Sequence, residues 1–153
     1  MNNISPIIQQ KRSLKLHNQE SHPLCRIKRE IQAYLSDFAC YDDLSEVVSI
    51  QHNFDDLRIP PQHPSRRPSD TYYVDANHVL RTHTSAHQTS LLRQGVKQFL
   101  ATGDVYRKDT IDRYHYPIFH QMEAVSLIDH DDPLGDLIQI LSCLLYTSDA
   151  ADD

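Results

Sequence analysis

The chain has 153 residues, 39% hydrophobic and 24% charged, which is enough for one domain or a piece of one. Its formal net charge of −6 speaks against a general nucleic-acid binder such as a histone-like or helix-turn-helix protein, because phosphate contacts need Lys and Arg. With 3 Gly there is little material for a glycine-built nucleotide loop, and 3 Cys without a CxxC pair exclude a disulfide scaffold or zinc ribbon and fit a reducing compartment.

The first nineteen residues contain no acid and carry Lys11, Arg12 and Lys15 among Ser and Gln. Residues 1–20 therefore read as a leader or the remnant of a mitochondrial or plastid transit segment, or equally as a disordered polar terminus. Residues 21–38 read as a helix, with Ser21 or His22 as cap and Pro23 in the first turn. Its apolar face is Leu24, Ile27, Ile31, Tyr34, Leu35 and Phe38, with Arg26, Lys28, Arg29 and Glu30 facing away. Cys25 and Cys40 read as small core residues.

Residues 46–50 are rich in β-branched side chains and form a strand candidate. Prolines at 60, 61, 64 and 68 make residues 60–70 an irregular loop. Residues 71–74 and 79–82 are short strand candidates. Thr84 or Ser85 caps a helix expected to reach about Lys97, burying Ala86, Leu91, Leu92 and Val96. Residues 98–107 and 117–128 are two long strands joined by a polar loop. Strands clustered in this way favour an α+β fold, an antiparallel sheet with flanking helices, over a doubly wound parallel one. No apolar run approaches the length of a membrane span.

The chain ends Cys143-Leu144-Leu145-Tyr146-Thr147-Ser148-Asp149-Ala150-Ala151-Asp152-Asp153, which looks like the translation of a sequencing adaptor. Residues 143–153 are accordingly expected to be an artefact tail, with the natural frame continuing elsewhere.

The long hairpin carries the chemistry. Period two puts Phe119, Gln121, Glu123 and Val125 on one face, and Ile118, His120, Met122 and Ala124 on the other. If Arg107 shares the Gln121/Glu123 face, a guanidinium, an amide and a carboxylate stand together. A guanidinium grips phosphate oxygens, while a carboxylate beside an amide holds an ammonium. From pattern alone, an Arg and a Glu on adjacent strands are more often a cross-strand ion pair.

Gly103-Asp104-Val105-Tyr106-Arg107 through Phe119-His120-Gln121-Met122-Glu123-Ala124 resembles motif 2 of class II aminoacyl-tRNA synthetases in their phenylalanyl form. Asn53-Phe54-Asp55-Asp56-Leu57, Ile59-Pro60 and His63-Pro64-Ser65-Arg66 resemble the segment after motif 1. Leu80-Arg81-Thr82-His83-Thr84-Ser85-Ala86-His87-Gln88 resembles the amino-acid-binding stretch. The start, Leu16-His17-Asn18-Gln19 with His22-Pro23-Leu24, is similar to the mitochondrial single-chain type.

The resemblance implies an incomplete class II synthetase-like catalytic domain over residues 21–142. It implies a phenylalanine–tRNA ligase that activates phenylalanine with ATP, as its Mg2+ complex, and transfers it to tRNA(Phe). Arg107 would hold the α-phosphate, and His115 would lie near the phosphates or adenylate. His83, Ser85, Gln121 and Glu123 would line the amino-acid site, with Glu123 near the ammonium. The third motif, the phenylalanine side-chain pocket and the anticodon-binding domain, through which tRNA binds, would lie beyond Leu141. The parent would be a monomer of the mitochondrial matrix, with plastid or cytoplasm as alternatives, and without a membrane partner. No resident metal site is expected: His83 and His87 have i, i+4 spacing but lack a general-base Glu between them. The two rival readings are a non-catalytic synthetase-like binding protein and a metal-dependent hydrolase built on the histidines.

Overall fold

The structure, a computed structural model, describes residues 2–12, 14–108 and 112–149, of which 146–149 are described by backbone alone. Residues 109–111 of the polar loop and 150–153 of the tail lie outside the described residues.

The central element is β4 (Gln98–Tyr106), which pairs antiparallel with β5 (Ile118–Ser126) and parallel with β1 (Ala39–Tyr41). The sheet is thus mixed, in the order β1-β4-β5. The short β1 was not legible as a strand; its run Ala39-Cys40-Tyr41 is exposed or half-buried and shows no alternation. A central strand is covered on both faces, and every residue of β4 after Gln98 is buried. A second, two-stranded antiparallel sheet joins β2 (Val47–Ser49) to β3 (His78–Leu80). Residues 71–74 form no strand; only Tyr73 makes an isolated bridge, to Val79.

Helix α1 (Pro6–Lys11) is capped by Ser5, and its Ile8 is buried with Tyr72, Leu80 and Tyr106. The basic N-terminal segment, expected to be a leader or a disordered terminus, is tied down at several of its described residues. Asn3 donates to Pro68 O at 2.9 Å, Arg12 pairs with Glu46 at 2.8 Å, and His17 is 4% exposed.

Helix α2 (Pro23–Tyr34) is capped by the His22 ring rather than by Ser21. Its buried face matches the apolar spacing only in part: Ile31 packs against Leu35 and Phe38. Cys25 and Lys28 are inside, whereas Ile27 is 52% and Tyr34 40% exposed. The reason is electrostatic: the Lys28 ammonium is held at 2.6 Å by Asp42 and at 2.6 Å by Asn18, so a paired charge takes the inward position. Leu35 and Phe38, past the helix end, do pack as expected, against Leu100. Cys40 is exposed, contrary to its expected place in the core.

The helix expected to run to Lys97 is a 3-10 turn over Thr84–His87 followed by α3 (Gln88–Arg93). Gly95, at φ +84°, stops it: the Gly95 N–H donates to Leu92 O and the Val96 N–H to Leu91 O, a double bond pattern that only a left-handed residue closes readily. Helix α4 (Pro133–Asp149) follows β5, and its Ile140 packs against the α2 side of the sheet. Among the described residues no helix is long and apolar enough to cross a membrane.

Candidate active site

The β4–β5 register settles which side chains share a face. Ala101 lies opposite Glu123, Gly103 opposite Gln121 and Val105 opposite Phe119. Arg107 continues the same row, its N–H donating to Pro117 O at 3.0 Å. The Arg107 guanidinium lies 5.0 Å from the Phe119 ring centroid and its Nε donates to Thr82 O at 3.2 Å. Guanidinium, amide and carboxylate therefore do stand on one surface. From Phe119 to Glu123 the strand rises about 14 Å at about 3.4 Å per residue.

Arg107 and Glu123 form no ion pair among the described residues. Glu123 instead accepts from Ser85 Oγ in a short bond and from Thr84 Oγ1 at 3.5 Å. The two hydroxyls expected to cap a helix are aimed at the carboxylate, where a charge-assisted bond outweighs a neutral cap. The 3-10 turn consequently begins at His83 without a side-chain cap.

The segment that carries these hydroxyls is fixed from below. Asn53 and Thr82 are both buried and exchange two bonds of 3.0 Å, Nδ2 to Oγ1 and N to Oδ1. Arg81 is 2% exposed and its Nε donates to Asp104 O at 2.8 Å. It can reach that carbonyl because Gly103 has no side chain: a Cβ there would sit 1.9 Å from Arg81 Nη2. Sequence reading assigned Arg81 no role. Its signal, an arginine inside an apolar strand run, is visible once β3 is placed against β4.

Both ring nitrogens of His83 are buried and have no hydrogen-bond partner among the described residues. Burial pushes its imidazole below the ordinary value, and the Arg107 charge adds to the effect. The neutral ring has one nitrogen as donor and one as acceptor, both buried and unpartnered among the described residues. Gln121 Oε1 is likewise buried and without a partner. His87 has no place in this group: its Nε2 faces Ser45 O at 2.9 Å, and burial, with the Arg81 charge, pushes its imidazole down to about 4.

His115 stands apart. It is exposed, and its ring and backbone N–H both turn back on Asp112 at 2.8 Å. No described contact joins it to Arg107. Arg66 is absorbed by the fold, with Asp55 at 2.6 Å and the Phe54 ring at 4.8 Å.

The family profile described as tRNA synthetases class II core domain (F) matches residues 8–150. The chain belongs to that family. It is 46% identical over 136 residues to the phenylalanine–tRNA ligase, chloroplastic/mitochondrial, of Arabidopsis thaliana, an alignment covering 86% of this chain and 32% of the relative. It is 50% identical over 133 residues to the mitochondrial phenylalanine–tRNA ligase of Dictyostelium discoideum, covering 82% and 29% respectively. The alpha subunit of a phenylalanine–tRNA ligase from Francisella tularensis subsp. novicida is 39% identical over 127 residues, covering 81% and 37%. This class II chain thus spans about a third of the length of the curated relatives it matches. Among solved structures, a pyrrolysyl tRNA synthetase of Desulfitobacterium hafniense superposes with a TM-score of 0.65 at 16% identity, covering 90% of this chain and 51% of that one. At that identity the likeness shows the fold: α+β, with the sheet and flanking helices of a class II catalytic domain.

Proposed function

We propose that these residues form the N-terminal part of the catalytic domain of a phenylalanine–tRNA ligase. The observation that carries the reading is the placement of Arg107 and Glu123 on one sheet face, too far apart to pair with each other, so that each can meet one end of a ligand laid along the strand. Glu123, held by Ser85 and Thr84, offers its carboxylate to the amino-acid ammonium. Gln121 offers a buried carbonyl oxygen to the same group, and neutral His83 offers ring nitrogens. Among the described residues Arg107 hydrogen-bonds through Nε to Thr82 O, which leaves its two terminal nitrogens for the α-phosphate oxygens of ATP.

In the activation step a carboxylate oxygen of phenylalanine attacks the α-phosphorus. The new O–P bond forms as the bond to the β-phosphate oxygen breaks, and pyrophosphate leaves. Arg107 contributes by offsetting charge on the phosphate as it reacts, and the amino-acid contacts contribute by alignment. Mg2+ arrives with ATP as the substrate complex. His115 would approach the phosphates only through movement of the 112–117 loop, because its ring is held by Asp112.

We further infer that 143–153 is an adaptor-encoded tail, and that the natural catalytic portion before it includes the N-terminal segment that buries Ile8 and His17. The third motif, the phenylalanine pocket and the anticodon-binding domain would be supplied by the rest of the parent protein, which would work as a monomer on tRNA(Phe) in the mitochondrial matrix. Among the described residues β5 has an open edge, which further strands of the domain would cover. The test is phenylalanine-dependent ATP–pyrophosphate exchange by the complete natural protein, with the 153-residue chain alone as comparison. Exchange is expected from the first and none above background from the second. A complete protein that binds but never exchanges would make it a non-catalytic relative.

A further inference from the structure

On the opposite face of the sheet from Arg107 lies a second cluster. His17, Asp104 and His120 come from the 3-10 turn Leu16–Asn18, β4 and β5, and their ligand-type atoms all lie within 4.8 Å of one another. Asp104 Oδ1 is 3.1 Å from His17 Nδ1 and 2.8 Å from His120 Nε2. His17 and Asp104 are buried, and His120 is half-buried.

The hydrogen positions expose the difficulty. His17 Nε2 lies 3.1 Å from Asp42 O, and a carbonyl only accepts, so Nε2 carries the ring proton. In the neutral ring, Nδ1 then aims a lone pair at the Asp104 carboxylate, which is also an acceptor. His120 Nε2 is close to the same oxygen but off the line that a hydrogen bond needs, and is left without a partner. Two imidazoles and a carboxylate thus converge, with an acceptor facing an acceptor at His17 and an unpartnered nitrogen at His120. A cation between them resolves the conflict. A ring N–H turned onto a backbone carbonyl, as at His17, is the usual support of a metal-bound histidine.

We propose that His17, Asp104 and His120 bind one divalent transition-metal ion of the zinc class, with water as fourth ligand. Two imidazole nitrogens and one carboxylate oxygen select such an ion over Mg2+ or Ca2+. Tetrahedral bonds of about 2.0–2.2 Å need ligand atoms about 3.3 Å apart, so the two pairs with Asp104 must open by a few tenths of an ångström and the two imidazoles, within 4.8 Å of each other, must draw together. A cavity of about 160 Å3 lined by Asp104 and His120 gives room for the water and a path of entry. Of the two lysines that also line it, Lys15 is paired with Asp43, and Lys11 lies over the ring of Tyr116, itself a lining residue. The ion would be structural. It clips the N-terminal segment to the hairpin, on the far face of the sheet from the proposed chemistry.

The test uses the complete natural protein, stripped with chelator and shown to be folded by circular dichroism. Titration with Zn2+ against a chromophoric competitor is expected to give one equivalent bound with Kd below about 1 μM, and Co2+ to give the visible absorption of a tetrahedral site. His17→Gln and His120→Gln should each weaken Zn2+ binding at least tenfold, and Arg107→Ala should leave it unchanged. If either variant fails to fold, the Co2+ spectrum of the folded wild type decides by itself. Absence of a stoichiometric site in the folded wild type, only weak binding at several equivalents, or tight binding that survives both His substitutions would overturn the assignment; the cluster would then be held together by protons.

Discussion

Replacing Gly103 by Ala tests how the hairpin is coupled to the substrate-facing segment. The added Cβ would lie 1.9 Å from Arg81 Nη2 and 3.1 Å from Arg81 Cζ. A flexible arginine at the surface would swing away. Arg81 is 2% exposed and anchored by its Nε on Asp104 O at 2.8 Å, so it gives way only by breaking that bond. A hydrogen bond from a charged group contributes about 1.5–3 kcal/mol. Forcing a methyl group into a packed site costs about 1–3 kcal/mol. Together Gly103→Ala should destabilise by about 2.5–6 kcal/mol, a large part of the stability of an ordinary domain. The assay is urea unfolding followed by circular dichroism, with an osmolyte added to keep weak variants in range. A double-mutant cycle isolates the cause: in an Arg81→Ala background, Gly103→Ala should cost at least about 2 kcal/mol less. Equal costs in both backgrounds, or a cost under about 1 kcal/mol in the parent, would refute the close approach as the reason for glycine.

Three further outcomes follow from the same geometry. Lys28→Ala should destabilise by about 1–3 kcal/mol by stranding Asp42, which is partly solvated, whereas Ile27→Ser, at an exposed position, should change urea stability by less than about 0.5 kcal/mol. His87 is held neutral by burial, so the unfolded chain binds its proton more readily than the folded one. Its contribution is fully present above pH 6.5 and is lost as pH falls from 6.5 through about 4. Allowing for the ring's partial exposure, that loss is about 1–2 kcal/mol, and His87→Gln should remove it from the pH dependence of the urea midpoint. Ser85→Ala frees Glu123 from its hydroxyl support and should lower kcat/KM for phenylalanine about 10–100-fold in pyrophosphate exchange, with little change in the KM for ATP.

The hairpin was legible because its signals are local. Period two along residues 118–126 fixed which side chains share a face, and the register then placed Arg107 with Gln121 and Glu123. Legibility failed where partners are distant in sequence. Nothing near Lys28 announces Asp42, so a lysine inside α2 read as solvated and an exposed isoleucine as core. Thr84 and Ser85 have the composition of caps, and only the approach of β5 redirects them to Glu123. The His17–Asp104–His120 cluster joins positions up to 103 residues apart through tertiary contact, and no spacing rule reaches that far. β1 escaped because three residues pairing in parallel at a sheet edge carry no alternation.

The most direct test of the divided roles of the sheet face is steady-state pyrophosphate exchange on the complete natural protein and two variants. Glu123→Gln should raise the KM for phenylalanine at least tenfold and leave that for ATP nearly unchanged. Arg107→Ala should cut kcat/KM for ATP at least a hundredfold, with phenylalanine binding by calorimetry largely retained. If both substitutions lower the two substrates' parameters in parallel, or if neither matters, Arg107 and Glu123 do not hold opposite ends of one ligand and the proposed site is wrong.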